Sequence, residues 1–144
     1  HVGRGPEDVG RGRRRLTAVL LDTHAWVWAF RDSALLSETA RSAIATADAV
    51  HVSPVSVLEI AQKVRLGKWA EMEPFVDELP ATLRNQGVIV SSLTPEIALH
   101  AGLRDWDHRD PFDRLLASTA EVMGLAFVTR DPAFAALPGL RVLW

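Results

Sequence analysis

The segment Ala18-Val19-Leu20-Leu21-Asp22 decides how this sequence is interpreted. Four consecutive apolar residues are typical of a short strand that is buried on both faces of a parallel sheet. The run stops at a carboxylate, and an ionised side chain at the edge of a core is costly unless it has a partner. We therefore predict that Asp22 is a functional residue at the carboxyl end of a strand.

Strand and helix patterns alternate over the rest of the chain. Short apolar runs predict strands at 18–21, 49–53, 88–91, 125–129 and 140–143. Apolar periodicity between capping residues predicts helices at 24–30, 38–47, 55–66, 73–86 with a break at Pro80, 95–103 and 111–123, and a helical turn after Asp131. This alternation implies an α/β fold with a mostly parallel central sheet and helices on both faces.

Composition limits the class of protein. The chain has 144 residues, of which 48% are hydrophobic, and this suits one domain with one core. No apolar run is long enough to span a bilayer. The sequence contains no cysteine, which excludes disulfides and thiolate zinc sites and makes a reducing cytoplasm the simplest setting.

The charge is unevenly distributed. Residues 1–16 are rich in Gly and Arg and carry +3, and we expect them to form a disordered basic tail in front of a folded domain at 17–144. Since the whole chain carries −2, the domain carries −5. Nucleic-acid binding requires a positive surface, so an acidic domain that handles RNA needs a cation to offset its carboxylates.

Two acids follow predicted strands. Asp22 ends the first strand, and Asp131 lies two residues after the fourth. In open parallel sheets, ligands bind beyond the carboxyl ends of the strands, which favours a functional role for both residues. For Asp131 the alternative is a structural one, because it is also placed to cap the helical turn that Pro132 begins.

Two further acids lie on predicted helices. Asp113 is the third helical residue of Asp110-Pro111-Phe112-Asp113, where Asp110 is the expected N-cap and a carboxylate favours the positive helix end even without a function. Glu59 follows the second strand, and its alternative role is that of an ordinary solvated residue. It lies beside a predicted apolar stripe made by Val55, Leu58, Ala61 and Leu66.

The four acids are expected to meet at one edge of the sheet. Carboxylates that lie close together repel one another unless a cation or a proton intervenes. A site made of oxygen ligands favours Mg²⁺ or Mn²⁺ over zinc, and such sites commonly act on phosphate esters. The pattern therefore predicts a divalent metal site that acts on phosphate esters.

Four segments resemble a known family: 20–24 (LLDTH), 55–60 (VSVLEI), 109–117 (RDPFDRLLA) and 128–131 (VTRD). Their order and spacing are similar to those of the PIN domain, and they look most like the VapC toxins of bacterial type II toxin–antitoxin pairs. The resemblance extends over about residues 18–144. It implies a three-layer α/β/α sandwich and a metal-dependent endoribonuclease that uses Mg²⁺, with Mn²⁺ as a substitute.

The resemblance also implies roles for individual residues. The family's acidic positions, which serve as catalytic and metal-binding residues, correspond to Asp22, Glu59, Asp113 and Asp131. Three neighbours are candidates to orient these carboxylates or to touch the site: Thr23, Asp110 and Thr129. Three nearby cations are candidates to bind RNA phosphates, with surface ion pairs as the alternative: Arg109, Arg114 and Arg130.

Partners follow from the same resemblance. The family implies an RNA substrate, a cognate antitoxin protein and a homodimer. Trp26, Trp28, Trp69 and Phe75 are candidates for the antitoxin groove or the dimer face, and a core position is the alternative for each.

Three other classes of protein also have features in common with this sequence. A phosphatase of the haloacid dehalogenase type needs a second Asp two positions after Asp22, where this chain has His24. A dinucleotide-binding Rossmann domain needs a glycine-rich turn after the first strand, and none is present. The strongest alternative is a catalytically silent PIN-fold module that acts by binding a protein partner.

Overall fold

A five-stranded parallel sheet runs through the centre of the computed structural model, which describes residues 17–144. The strand order is β3-β2-β1-β4-β5, so β1 is central and lies between β2 and β4. The predicted tail at 1–16 lies outside the described residues. The strands are β1 (Ala18–Leu21), β2 (Ala49–Val52), β3 (Ile89–Val90), β4 (Ala126–Val128) and β5 (Val142–Leu143).

Helices cover both faces of this sheet. Because side chains alternate along a strand, Leu20 packs with Leu116 and Phe127 on one face, whereas Leu21 packs with Trp26 on the other. The predicted α/β/α sandwich is confirmed. Its helices are α1 (Thr23–Phe30), α2 (Glu38–Thr46), α3 (Pro54–Arg65), α4 (Leu79–Asn85), α5 (Pro95–Leu103) and α6 (Pro111–Met123), with 3₁₀ segments at Ala70–Glu78 and Pro132–Ala136.

Helix α6 begins and ends at the residues that the sequence predicts. The Asp110 side chain accepts a hydrogen bond from the backbone N–H of Phe112 at 2.9 Å, and Pro111 occupies the first helical position, where no N–H is needed. Gly124 ends the helix with φ at +69°, a left-handed conformation that glycine adopts without strain. This helix follows the loop that carries His108 into the site.

The helical break that the sequence predicts at Pro80 lies just before that residue, between Glu78 and Leu79. The chain changes from a 3₁₀ segment to α4 between Glu78 and Leu79, and Pro80 lies in the first turn of α4. A proline is tolerated there because the first helical N–H groups have no partner within the helix. The chain thus forms two short helical pieces and not a kinked single helix, and the proline is the second residue of the second piece.

Within residues 17–144, no helix combines the length and the apolar character that a membrane span requires.

Candidate active site

Asp22 lies at the centre of the carboxyl edge of the sheet. Its backbone N–H continues the β1–β4 ladder by donating to the carbonyl oxygen of Val128 at 2.9 Å. One carboxyl oxygen accepts from the Thr23 N–H, and the other accepts from Thr129 Oγ1, both at 2.7 Å. The residue is only 8% exposed, so these bonds fix the direction in which the carboxylate points.

Glu59 lies on the buried face of α3, and the predicted apolar stripe of this helix was wrong. The buried residues are Val55, Ser56, Glu59 and Ile60, whereas Leu58 is 56% exposed. The apolar pattern was misleading because the face that meets the site carries two polar side chains. Glu59 is therefore in the centre of the buried face, at 3% exposure, and not beside it.

A chain of polar contacts orients Glu59. Thr23 Oγ1 donates to one carboxyl oxygen of Glu59 at 2.7 Å. Since a hydroxyl has one proton, Ser56 Oγ must be the donor in its 2.8 Å bond to Thr23. Lys63 Nζ lies 2.6 Å from the other carboxyl oxygen of Glu59 and forms an ion pair one helical turn away.

Asp113 lies in the first turn of α6, close to Asp110 and His108. One carboxyl oxygen of Asp113 lies 2.6 Å from His108 Nε2. Among the described residues, ligand atoms of His108, Asp110 and Asp113 approach within 4.8 Å of one another. The loop before α6 thus brings an imidazole, a further potential metal ligand, to the carboxylates of Asp110 and Asp113.

Asp131 is the most exposed of the four predicted acids. Its side chain caps the 3₁₀ segment by accepting from the Ala133 N–H at 2.9 Å, and its own N–H donates to Thr129 Oγ1 at 3.1 Å. The structural alternative for this residue, a helix cap, is therefore real. The capping role is nevertheless compatible with a place in the site. The Thr129 hydroxyl that accepts from the Asp131 N–H also donates to Asp22, so Asp131 and Asp22 are held near each other.

One cavity of about 580 Å³ brings these groups together. All four predicted acids line it, although they come from the end of β1, from α3, from α6 and from the loop after β4. The arrangement is the one expected at the carboxyl edge of a parallel sheet. The lining includes Asp22, Glu59, Asp113 and Asp131, together with Asp110 and Arg130.

The environment of the cavity disfavours the ionised forms of two acids. Burial is the largest cause that raises the pKa of Asp22 from 3.8 to about 7, and the charges of Asp113 and Glu59 raise it further against the bonds from Thr129 and Thr23. Burial also raises the pKa of Asp113 to about 6; the His108 hydrogen bond opposes this shift, and the nearby carboxylates of Asp110 and Glu59 add to it.

The burial and the mutual repulsion of these carboxylates bear on whether the cavity can hold a metal ion. Buried carboxylates that repel one another gain stability when a cation replaces the proton that they would otherwise hold. The donors are predominantly carboxylate oxygens, which suit a hard divalent cation. The residues of the cavity therefore fit a divalent cation, with Asp22 and Asp113 as the acids most in need of it.

The structure gives Arg114 a different role from the expected RNA contact. Its guanidinium donates to the backbone carbonyl oxygens of Ala101, Arg104, Trp106 and His108. Four of its five N–H groups are used in this way, so Arg114 holds the loop between α5 and α6. Arg109 and Arg130 remain exposed, and Arg130 lines the cavity.

The aromatic candidates are divided between core and surface. Trp26 is 1% exposed and belongs to the core, whereas Phe75 is 36% exposed. Trp28 is half-buried and lines the cavity together with His24, whose ring stacks on Trp69 with centroids 4.5 Å apart.

Sequence reasoning missed Lys63 and Ser56. Their spacing from Glu59 could have indicated them. Ser56 lies three residues before Glu59 and Lys63 lies four residues after it, so both are on the same face of α3. The assumption that the buried face of a helix is apolar concealed it.

The fold agrees with comparisons with known proteins. A model of the PIN domain matches residues 19–140. Ribonuclease VapC22 of Mycobacterium tuberculosis (strain ATCC 25618 / H37Rv) is 30% identical over 119 residues, which cover 81% of this chain and 88% of that protein.

Solved structures share the fold at lower identity. A DNA-bound VapBC from Salmonella typhimurium superimposes with a TM-score of 0.62 at 19% identity, over 89% of this chain and 97% of that one. Mycobacterium tuberculosis VapC20, described as a Sarcin-Ricin loop cleaving toxin, gives a TM-score of 0.57 at 17% identity, over 83% of this chain and 95% of that one. The family match and the VapC22 relative cover most of the chain, and the chain therefore belongs to the PIN domain family.

Proposed function

We propose that this chain is a metal-dependent endoribonuclease that hydrolyses phosphodiester bonds of RNA and acts as the toxin of a toxin–antitoxin pair. The observation that carries the proposal is the convergence of Asp22, Glu59, Asp113 and Asp131 on one cavity. Its relative VapC22 is named a ribonuclease, and this name supports the choice of RNA as the substrate.

In this proposal Asp22 and Asp113 hold a divalent cation most directly, and Glu59 and Asp131 complete its surroundings directly or through water. We assign Mg²⁺, with Mn²⁺ as a substitute. Such a cation, when bound, supplies Lewis-acid chemistry: it makes a water more acidic and offsets charge on the phosphate oxygens. Thr129 and Thr23 keep Asp22 and Glu59 in place, so little reorganisation is needed when the substrate arrives.

Cationic side chains at the rim would position the RNA. Arg130 lines the cavity and Arg109 is exposed near it, so both are placed to contact phosphates that flank the cleaved bond. These contacts offset the negative charge of the domain locally. RNA binding should therefore weaken as salt concentration rises.

A protein partner is part of the proposal. The fold neighbours include toxin–antitoxin complexes such as the one from Klebsiella pneumoniae, which superimposes with a TM-score of 0.60. We propose a cognate antitoxin that covers the acidic cavity, a homodimer as the working assembly, and the cytoplasm as the location where RNA is available.

The test is cleavage of total RNA by the purified chain with Mg²⁺ and with EDTA. Asp22→Asn and Asp113→Asn should each lower the rate at least 100-fold, on the order of the loss of a principal catalytic contribution. Asp77→Asn, an exposed acid outside the cavity, is the matched control and should cleave like the parent chain. Undiminished cutting by either cavity variant, or cutting in EDTA, would reject the assignment.

A further inference from the structure

We propose that a cleft between Trp28 and Trp69 binds one unpaired nucleobase of the RNA beside the carboxylate cavity. The proposal deepens the proposed function and rests on it for the identity of the polymer. It rests on a second cavity that shares Trp28 with the carboxylate cavity.

The aromatic side chains of this region are held in place by one another. His24 and Trp28 lie one turn apart on α1, and their ring centroids are 5.5 Å apart. His24 also stacks on Trp69, with the ring centroids 4.5 Å apart and an angle of 21° between the ring planes. Trp144 contacts Trp28 from the carboxyl terminus at 5.8 Å. Trp28 is thus oriented in advance, which lowers the entropic cost of stacking a ligand on it.

The second cavity has a size and a chemistry that suit a base. Its volume is about 240 Å³, below the range of about 300–1,000 Å³ that is typical of sites for drug-sized ligands. Trp28 and Trp69 supply flat apolar surface, and Arg31, Ser33 and Glu71 supply hydrogen-bond donors and acceptors. Unpaired bases are recognised by this combination of stacking and polar contacts to the base edge.

Arg130 connects the two cavities. Its guanidinium lies 5.7 Å from the centre of the Trp28 ring, and the same residue lines the carboxylate cavity. A nucleotide whose phosphate lies against Arg130 would therefore place its base at Trp28. A base in a duplex is stacked on its neighbours and cannot enter the cleft. The cleft therefore selects single-stranded or looped RNA.

The first test measures steady-state cleavage of a single-stranded RNA and of copies that each carry one abasic nucleotide. For the parent chain, an abasic nucleotide at one position next to the cut should raise KM roughly 5- to 150-fold, the effect of losing one stacked base. Trp28→Leu should raise KM for the intact RNA by a similar factor, with kcat within about 3-fold, because stacking binds substrate and transition state alike.

Two features separate a stacking role from a general loss of structure. In Trp28→Leu the abasic nucleotide should cause no further rise in KM, since the two changes remove the same interaction. Trp28→Phe should recover most of the affinity. Leu99→Ala, at an exposed apolar position of α5 outside both cavities, is the control and should behave like the parent chain.

A second test does not depend on catalysis. Ribonucleoside 5′-monophosphates in EDTA should quench tryptophan fluorescence of the parent chain saturably, and Trp28→Leu should abolish this. If the parent chain binds nucleotides in this way but does not cleave RNA, the proposed base-binding cleft is supported and the proposed ribonuclease function is rejected. If Trp28→Leu changes neither KM nor nucleotide binding, the proposal is wrong. An effect of Trp28→Leu confined to binding of an antitoxin peptide would also overturn it.

Discussion

Thr129 Oγ1 donates a 2.7 Å hydrogen bond to Asp22 although 107 residues separate them in the chain. The bond joins the ends of the neighbouring strands β1 and β4, and it favours the ionised carboxylate, so it lowers a pKa that burial raises. Thr129→Val should raise the pKa of Asp22 further and weaken divalent cation binding by about 10- to 100-fold, as loss of a ligand's supporting contact does.

Calorimetric titration with Mn²⁺ at pH 7 measures this effect. Thr82→Val, at a half-buried position on α4 outside the cavity, is the matched control and should leave affinity unchanged. Equal Mn²⁺ affinity in Thr129→Val and the parent chain would show that the hydroxyl does not support the site.

The pKa values of Asp22 and Asp113 predict how stability depends on pH. Both are raised in the folded protein, to about 7 and about 6, from 3.8. Between about pH 4 and pH 7 the folded chain therefore holds protons that the unfolded chain has released. The free energy of unfolding should fall as pH rises through this window, and the loss should be complete above pH 7.

Thermal unfolding in EDTA from pH 5 to pH 8 measures this trend. Asp22→Asn should flatten it and should be more stable than the parent chain at pH 8 by up to about 4 kcal/mol, since the pKa shift from 3.8 to about 7 costs about 1.4 kcal/mol per unit once the carboxyl group is ionised. Mg²⁺ should stabilise the parent chain at pH 8 and have little effect on Asp22→Asn. A parent chain whose stability rises from pH 5 to pH 8 would contradict the prediction.

Lys63 is a residue of the cavity whose replacement should strengthen the binding of a metal ion. Its ammonium group lies 2.6 Å from Glu59 and lines the cavity, so it repels any cation that enters. Lys63→Gln should therefore tighten Mn²⁺ binding by about 5-fold, which corresponds to roughly 1 kcal/mol of relieved repulsion across a few ångströms of polar medium. Thr23 still holds Glu59 in this variant.

Lys68→Gln serves as the control for Lys63→Gln, because Lys68 is exposed and lies outside the cavity. The two titrations are compared at the same ionic strength. Weaker Mn²⁺ binding in Lys63→Gln would mean that Lys63 positions Glu59 more than it repels the cation.

Replacement of Arg114 should lower the stability of the protein, whereas replacement of Arg109 should not. Arg114→Gln removes a cation that holds four backbone carbonyl groups, and it should lower the free energy of unfolding by about 2–4 kcal/mol. Arg109→Gln, at an exposed position, should leave stability within about 0.5 kcal/mol. Urea unfolding of the two variants side by side makes the comparison, and equal stabilities would contradict it.

The strands and helices that form the site could be predicted because their signals are local. Asp22 follows an apolar run, and α6 has its cap, proline and terminal glycine at fixed spacings. The residues that contact one another across the sheet, such as Asp22 and Thr129, could be expected to meet from the rule that parallel strands share an edge.

Other features of the site depend on tertiary packing, which has no local signal. The buried face of α3 carries Ser56 and Glu59, so hydrophobic periodicity pointed to the exposed Leu58 instead. The spacing of charges near Asp113 does not reveal that Arg114 turns away toward the preceding loop. The aromatic cleft is formed by α1 and the segment after α3, which are distant in sequence.

The most direct measurement is a calorimetric titration of Mn²⁺ into the full chain at pH 8, where Asp22 and Asp113 are ionised. We predict saturable binding that Asp22→Asn and Asp113→Asn each weaken at least 10-fold and that Asp77→Asn leaves unchanged. A parent chain that binds no Mn²⁺, or cavity variants that bind it as tightly as the parent, would contradict a cation site built from these carboxylates.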